Sequence, residues 1–180
     1  MLKNSTSGYG LVAIALHWLM ALAIFGMFGL GLYMVTLNFY HPWYHDALET
    51  HKSIGILVGL ALVARVIWRI SNPTPAGLSA KPLENTAAHL AHMLLYALIA
   101  ALLVSGYLIS TADGRSIDVF GWFQVPSLLQ VENLEDSAGE VHEFLAWTLI
   151  VLVVAHAAAA VKHHVISKDN TLRRMLRPGL

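Results

Sequence analysis

Between Lys3 and Asp46 the chain contains no aspartate, glutamate, lysine or arginine. Within that interval the apolar stretch runs from about Leu11 to Leu37, longer than the roughly 20 apolar residues that carry a helix across a ~30 Å hydrocarbon core. It is too long for a signal-peptide core and ends without a small-residue cleavage pattern, so it reads as an uncleaved first span. Three further charge-free runs follow: 12 residues from Ser53 to Ala64, 28 from Asn85 to Ala112 and 18 from Phe144 to Val161. The second becomes a span if Lys52, Arg65 and Arg69 snorkel to the interfaces. The expected fold is all-α, an integral membrane four-helix bundle forming one domain over residues 1–180. Its spans are expected at about 11–37, 51–70, 87–111 and 139–164, with a loop at 113–138.

Composition agrees with a lipid environment. Of the 180 residues, 57% are hydrophobic and 12% charged, against about 25% charged residues in a soluble domain. Eleven basic and eleven acidic residues balance, which argues against nucleic acid as a partner, since phosphate binding needs a basic surplus. The basic residues are unevenly spread. In a four-span arrangement Lys3, Arg65, Arg69, Lys81, Lys162, Lys168, Arg173, Arg174 and Arg177 fall on one side and only Lys52 and Arg115 on the other. That asymmetry predicts that both termini are cytoplasmic. Asp46, Glu49, Asp113, Asp118, Glu132, Glu135, Asp136, Glu140 and Glu143 collect on the outer side. The Pro-rich segment from Ser71 to Glu84 reads as a rigid inner linker. The Phe120–Phe123 aromatic cluster of the outer loop suits the membrane interface.

Cysteine is absent and histidine abundant, with ten copies. The first fact excludes disulfides, thiolate zinc sites, iron–sulfur clusters and covalent c-type haem. The second leaves imidazole as the available metal ligand. His41 and His45, in the first outer loop, read as solvated. His142 and His156 are different: fourteen residues apart, they face one side of the fourth span about 21 Å apart along its axis. His51 is level with the first of them and His17 with the second. Two cross-helix pairs result, His51 with His142 and His17 with His156, an arrangement suited to bis-histidine haem ligation. Gly31, Gly55, Gly59 and Ala160 sit on or near the histidine faces, where small side chains leave room for a macrocycle or let helices approach. A competing arrangement also exists. His89 and His92 share a face of the third span, and His163 and His164 end the fourth, so spacing alone permits an inner haem from His92 or a zinc site in this cluster.

Several segments resemble the bacterial cytochrome b561 family of small four-helix, di-haem b membrane proteins. They are Leu16-His17-Trp18-Leu19, His51-Lys52-Ser53-Ile54-Gly55, Asn72-Pro73-Thr74-Pro75, His89-Leu90-Ala91-His92 and the stretch from His156 to His164. The tail Lys168-Asp169-Asn170-Thr171-Leu172, followed by Arg174-Met175, looks like the superoxide oxidase branch, and the outer loop matches least. The resemblance covers essentially the whole chain. It implies two haem b groups on His17, His51, His142 and His156, in the pairs given above. It also implies that superoxide gives an electron at the outer haem and ubiquinone takes electrons at the inner one.

Histidine is the side chain that titrates nearest neutrality. His163, His164, Lys162, His89 and His92 are therefore the candidates for quinone binding or proton delivery, with Lys52 and Arg115 as outer cations for superoxide or haem propionates. Two other readings fit the same residues. One is a haem b anchor subunit linking a dehydrogenase or hydrogenase to the quinone pool. The other is a histidine-lined metal transporter.

Overall fold

A computed structural model describes residues 1–79, 81–131 and 133–179. Glu132, one of the outer acids named above, lies outside them. Four long helices account for most of the chain: α1 (Leu11–Met34), α2 (Tyr44–Ser71), α3 (Pro82–Thr111) and α4 (Leu134–Lys162). All four are long and apolar enough to cross a membrane. Their large apolar side chains are largely on the outside. Leu22, Leu60, Phe144 and Val151 are each more than half exposed, a distribution that suits lipid and not water. The protein is a four-helix membrane bundle.

Whereas α1 ends three residues before its apolar stretch does, α2, α3 and α4 begin ahead of their charge-free runs, for local reasons. Pro82 opens α3, where its missing N–H costs nothing, and Glu84 sits in the first turn. Ser79 donates to Glu84 Oε2 at 2.6 Å and accepts from the Lys81 amide at 3.1 Å. The α4 helix starts at Leu134, with Glu135 and Asp136 in its first turn and Lys162 in its last. Both ends complement the helix dipole. Likewise α2 already includes Asp46, Glu49 and Lys52 before its apolar run begins. After Lys162 the backbone widens into a π-helical turn, His163–Ser167, a local geometry that recurs at functional sites. A short helix, α5 (Thr171–Arg174), follows.

The loop between α3 and α4 contains structure that hydropathy did not predict. Strands β1 (Ile117–Val119) and β2 (Phe123–Val125) pair antiparallel. At the turn Phe120 and Gly121 have φ of 51° and 72°, the left-handed values that primed hairpin turns require. The Asp118 carboxylate accepts from the Gly121 amide at 2.7 Å. Ile117 and Val119 are buried, whereas Trp122 on the turn is exposed. Ser53 of α2, itself buried, donates to the Asp118 carbonyl at 3.2 Å and accepts from the Phe120 amide at 3.3 Å. The hairpin is thereby tied to α2 two residues beyond His51.

The chain divides into two compact units. One comprises Met1–Ala21, Ala61–Ala97 and Val151–Leu180, the other Leu22–Leu60 and Leu98–Ile150. Each of α1 to α4 therefore gives one half to each unit, and each unit contains one of the histidine pairs.

Candidate functional site

In the unit of Leu22–Leu60 and Leu98–Ile150, α2 carries His51 and α4 carries His142. Their ring centroids are 6.2 Å apart with planes inclined at 70°. His142 Nδ1 lies 2.9 Å from Ser105 Oγ, which donates in turn to the Leu102 carbonyl at 3.1 Å. With its hydroxyl proton committed to that carbonyl, Ser105 accepts from His142 Nδ1–H and leaves Nε2 as the free lone pair. Such an outer hydrogen bond accompanies most metal-ligating histidines. His51 Nδ1 is buried without a hydrogen-bond partner.

Glycines face both rings. A Cβ on Gly106 would stand 3.2 Å from His142 Cε1, and one on Gly31 would stand 3.7 Å from His51 Cε1. Gly55 and Gly59 face Met27 and Leu103 instead.

The two cations of this unit are already engaged. Lys52 pairs with Glu49 at 2.5 Å, and Arg115 pairs with Asp113. Hydrogen bonds from Arg115 hold the Asp113 carboxyl below its ordinary range. A depressed carboxylate pKa means the contact's contribution is complete above the ordinary value and is lost as pH falls through the lowered one.

In the other unit α1 carries His17 and α4 carries His156, with ring centroids 6.3 Å apart and planes at 63°. His92 of α3 is nearer still to His156, at 5.1 Å. Arg65 of α2 reaches the same group. Its Nη2 lies 3.1 Å from His17 Nδ1, and its Nε donates to Tyr96 Oη at 2.9 Å. The guanidinium carbons of Arg65 and Arg69 lie 5.8 and 6.0 Å from the centre of the Tyr96 ring. On α1, Trp18 donates to the Met175 carbonyl at 2.7 Å.

A second polar group surrounds the π-helical turn. His163 Nδ1 is 2.7 Å from Asp169 Oδ2, and its Nε2 is 3.9 Å from Glu84 Oε2. Lys162 donates to Glu84 Oε1 at 3.1 Å. Burial works to raise the Asp169 carboxyl, but hydrogen bonds from Thr171 and His163 outweigh it and hold the group below its ordinary range. His164 lines a small cavity with Val165, Lys168, Asp169 and Arg173. His89 is exposed. Among the described residues no three His, Asp or Glu side chains gather in a metal-binding cluster.

Residue type and spacing single out both histidine pairs but not Ser105, Gly106, Tyr96, Glu84 or Asp169, and they mark Arg65 only as an interfacial anchor. The Ser105-Gly106 pair inside an apolar run was the available signal for the partner of His142.

A fit to haem can be tested on the ring separations. Metal–imidazole bonds are about 2.0–2.1 Å, so two rings ligating one metal from opposite sides have centres roughly 6 Å apart. Both cross-helix pairs meet this separation, and His92–His156 is closer than it allows. Residues 8–178 match the family model described as prokaryotic cytochrome b561.

The chain belongs to the prokaryotic cytochrome b561 family. It is thus a membrane haem protein of electron transport, and haem b is the cofactor the family implies. It is 52% identical to "Cytochrome b561 homolog 2" of Escherichia coli (strain K12) over 96% of this chain and 93% of the relative. It is 30% identical to "Probable superoxide oxidase CybB" of Yersinia pestis over 93% and 95% of the two chains. "Cytochrome b561 homolog 1" of Escherichia coli (strain K12) is 33% identical over 71% of this chain and 73% of that one.

Proposed function

We propose that this cytochrome b561 oxidises superoxide to dioxygen at the outer membrane surface and passes the electrons through two b haems to ubiquinone at the inner surface. The observation that carries the reading is the pair of cross-helix imidazole separations, 6.2 and 6.3 Å. His51 and His142 hold one haem and His17 and His156 the other. When bound, each haem supplies a one-electron iron couple tuned by ligands, hydrogen bonds and burial. Superoxide as donor rests on the Yersinia pestis relative, 30% identical across nearly its full length. The orientation rests on nine basic residues against two.

The protein's own groups then divide the labour. Ser105 orients His142 by accepting from its Nδ1, so that Nε2 faces the iron. Lys52 and Arg115, neutralised by Glu49 and Asp113, act on an approaching anion only at short range. Ubiquinone needs a pair of protons with its pair of electrons. His163, bracketed by Asp169 and Glu84 and next to Lys162, holds and passes protons at Nδ1 and Nε2, and His164 faces the neighbouring cavity. His89, exposed on α3, and His92, edge-on to His156, are the further candidates for proton delivery on this side.

Stopped-flow spectroscopy of the purified protein separates the half-reactions. Superoxide should reduce the haems and ubiquinone should reoxidise them. His163→Gln should slow reoxidation by about a hundredfold, the lower end of the range for losing a positioned proton donor, and leave superoxide-driven reduction fast. The opposite pattern would reverse the direction of flow. Haems that superoxide fails to reduce would transfer the donor role to a separate redox subunit. Orientation has its own check: a reporter fused at the C-terminus should signal from the cytoplasm, and one fused after the β1–β2 hairpin from the other side. A C-terminus outside would exchange the two surfaces in this scheme.

A further inference from the structure

Arg65 and Arg69 lie within a membrane-spanning helix, where an uncompensated charge is expensive and turns toward a partner. In the unit that contains them the chain segments supply only two side-chain carboxylates, Glu84 and Asp169. Both are committed: among the described residues the ion pairs of this unit join Glu84 and Asp169 to Lys81, Lys162 and His163. Arg65 is left with neutral partners, the Tyr96 hydroxyl and the His17 ring, and Arg69 with the Tyr96 π-face. The His51 and His142 pair contrasts with this. Its hydrogen-bonding neighbour is the neutral Ser105, and its unit's lysine and arginine are cancelled by Glu49 and Asp113. One histidine pair thus carries uncompensated positive charge and the other does not.

We propose that Arg65, with Arg69 and Tyr96, forms an anion site that takes a propionate carboxylate of the haem held by His17 and His156, and that its charge makes this haem the higher-potential one of the two. The inference rests on the di-haem reading above. A guanidinium is a planar, permanently charged fork suited to a carboxylate. Tyr96, accepting from Nε, fixes the fork beside the histidine. A cation close to the iron favours the ferrous state, which carries one positive charge fewer, because the Coulomb repulsion is smaller there and weak internal screening preserves the difference. Electrons entering at the neutral pair then run downhill toward the positive one.

Spectroelectrochemistry on the purified holoprotein tests this without turnover, with His142→Ala and His17→Ala proteins identifying each haem's band. Wild type should show two potentials, the higher belonging to the haem at His17 and His156. Arg65→Gln should lower that one alone, cutting its ferrous-to-ferric ratio at fixed ambient potential about tenfold. Tyr96→Phe should move it less in the same direction, and Arg65→Lys should restore most of it. If Arg65→Gln fails to retain this haem, recovery of the haem in Arg65→Lys supports the site, and equal loss in both overturns it. Unchanged potentials in a two-haem Arg65→Gln protein, or a shift confined to the other haem, also overturn it. A His17→Ala protein that keeps both haems would instead refute the ligand reading on which the inference stands.

Discussion

Replacing His142 by alanine is expected to leave a folded protein with one b haem instead of two. Pigment extraction should show half the haem per chain, and the reduced-minus-oxidised spectrum should lose one component while the other keeps its shape. The physical reason is the separate construction of the two sites. His142 and His51 meet within a unit whose remaining contacts do not depend on either imidazole. Ser53 ties the hairpin to α2 through its own hydroxyl, and Phe28 packs edge-on to Trp147 at 5.0 Å. His51→Ala should therefore delete the same spectral component, since a low-spin iron needs both rings. Ser105→Ala provides a graded comparison. It removes the acceptor 2.9 Å from His142 Nδ1 but no ligand, and loss of such an outer partner weakens metal binding roughly 10–100-fold. That variant should bind the haem and release it faster to an acceptor such as apomyoglobin. Disappearance of both haems from a well-folded His142→Ala protein, or of neither, would show that the pairing is wrong.

Lipid made the helices legible in the sequence. A bilayer accepts only backbone that satisfies its own hydrogen bonds, so each long charge-free run has a helical solution, and each of α1 to α4 covers most or all of one. Their ends were less legible because interfacial water tolerates charge. Asp46, Glu49 and Lys52 continue α2 where a reading by charge ends the span near His51. The histidine pairs were visible because helical periodicity fixes both the face and the depth of a residue. Periodicity does not fix how two helices are rotated against each other, and Ser105 against His142 or Arg65 against His17 depends on that rotation. The hairpin escaped notice for another reason. Three-residue strands offer too little alternation to stand out, and Ile117 and Val119 are held by burial and by Ser53, which no local pattern encodes. At the end of the π-helical turn Lys168 takes left-handed backbone and Asp169 meets His163, a local geometry that helical periodicity does not anticipate.

His17→Ala and His92→Ala should separate completely: the first abolishes one haem, and the second keeps both. His156 has two imidazole neighbours, and the sequence alone allows either to be its partner in ligation. Distance discriminates between them. Ligation of one iron from opposite sides needs ring centres roughly 6 Å apart, close to the 6.3 Å between His17 and His156. The 5.1 Å, edge-to-face approach of His92 to His156 is an ordinary aromatic contact, too short for a metal between the rings. His92 then acts as packing against a ligand. Its removal should loosen the His156 ring and raise haem loss by less than about tenfold, below the roughly 10–100-fold of a lost hydrogen-bonded outer partner. In His17→Ala the remaining ring, with Arg65 turned toward the gap, has no second nitrogen to offer, so binding should fall below detection. Low-temperature electron paramagnetic resonance provides an independent readout: His92→Ala should retain two low-spin ferric signals and His17→Ala only one. The reverse result, one signal in His92→Ala and two in His17→Ala, would make α3 and not α1 the partner of α4 at this haem. Arg65 would then stand beside a histidine that binds no iron.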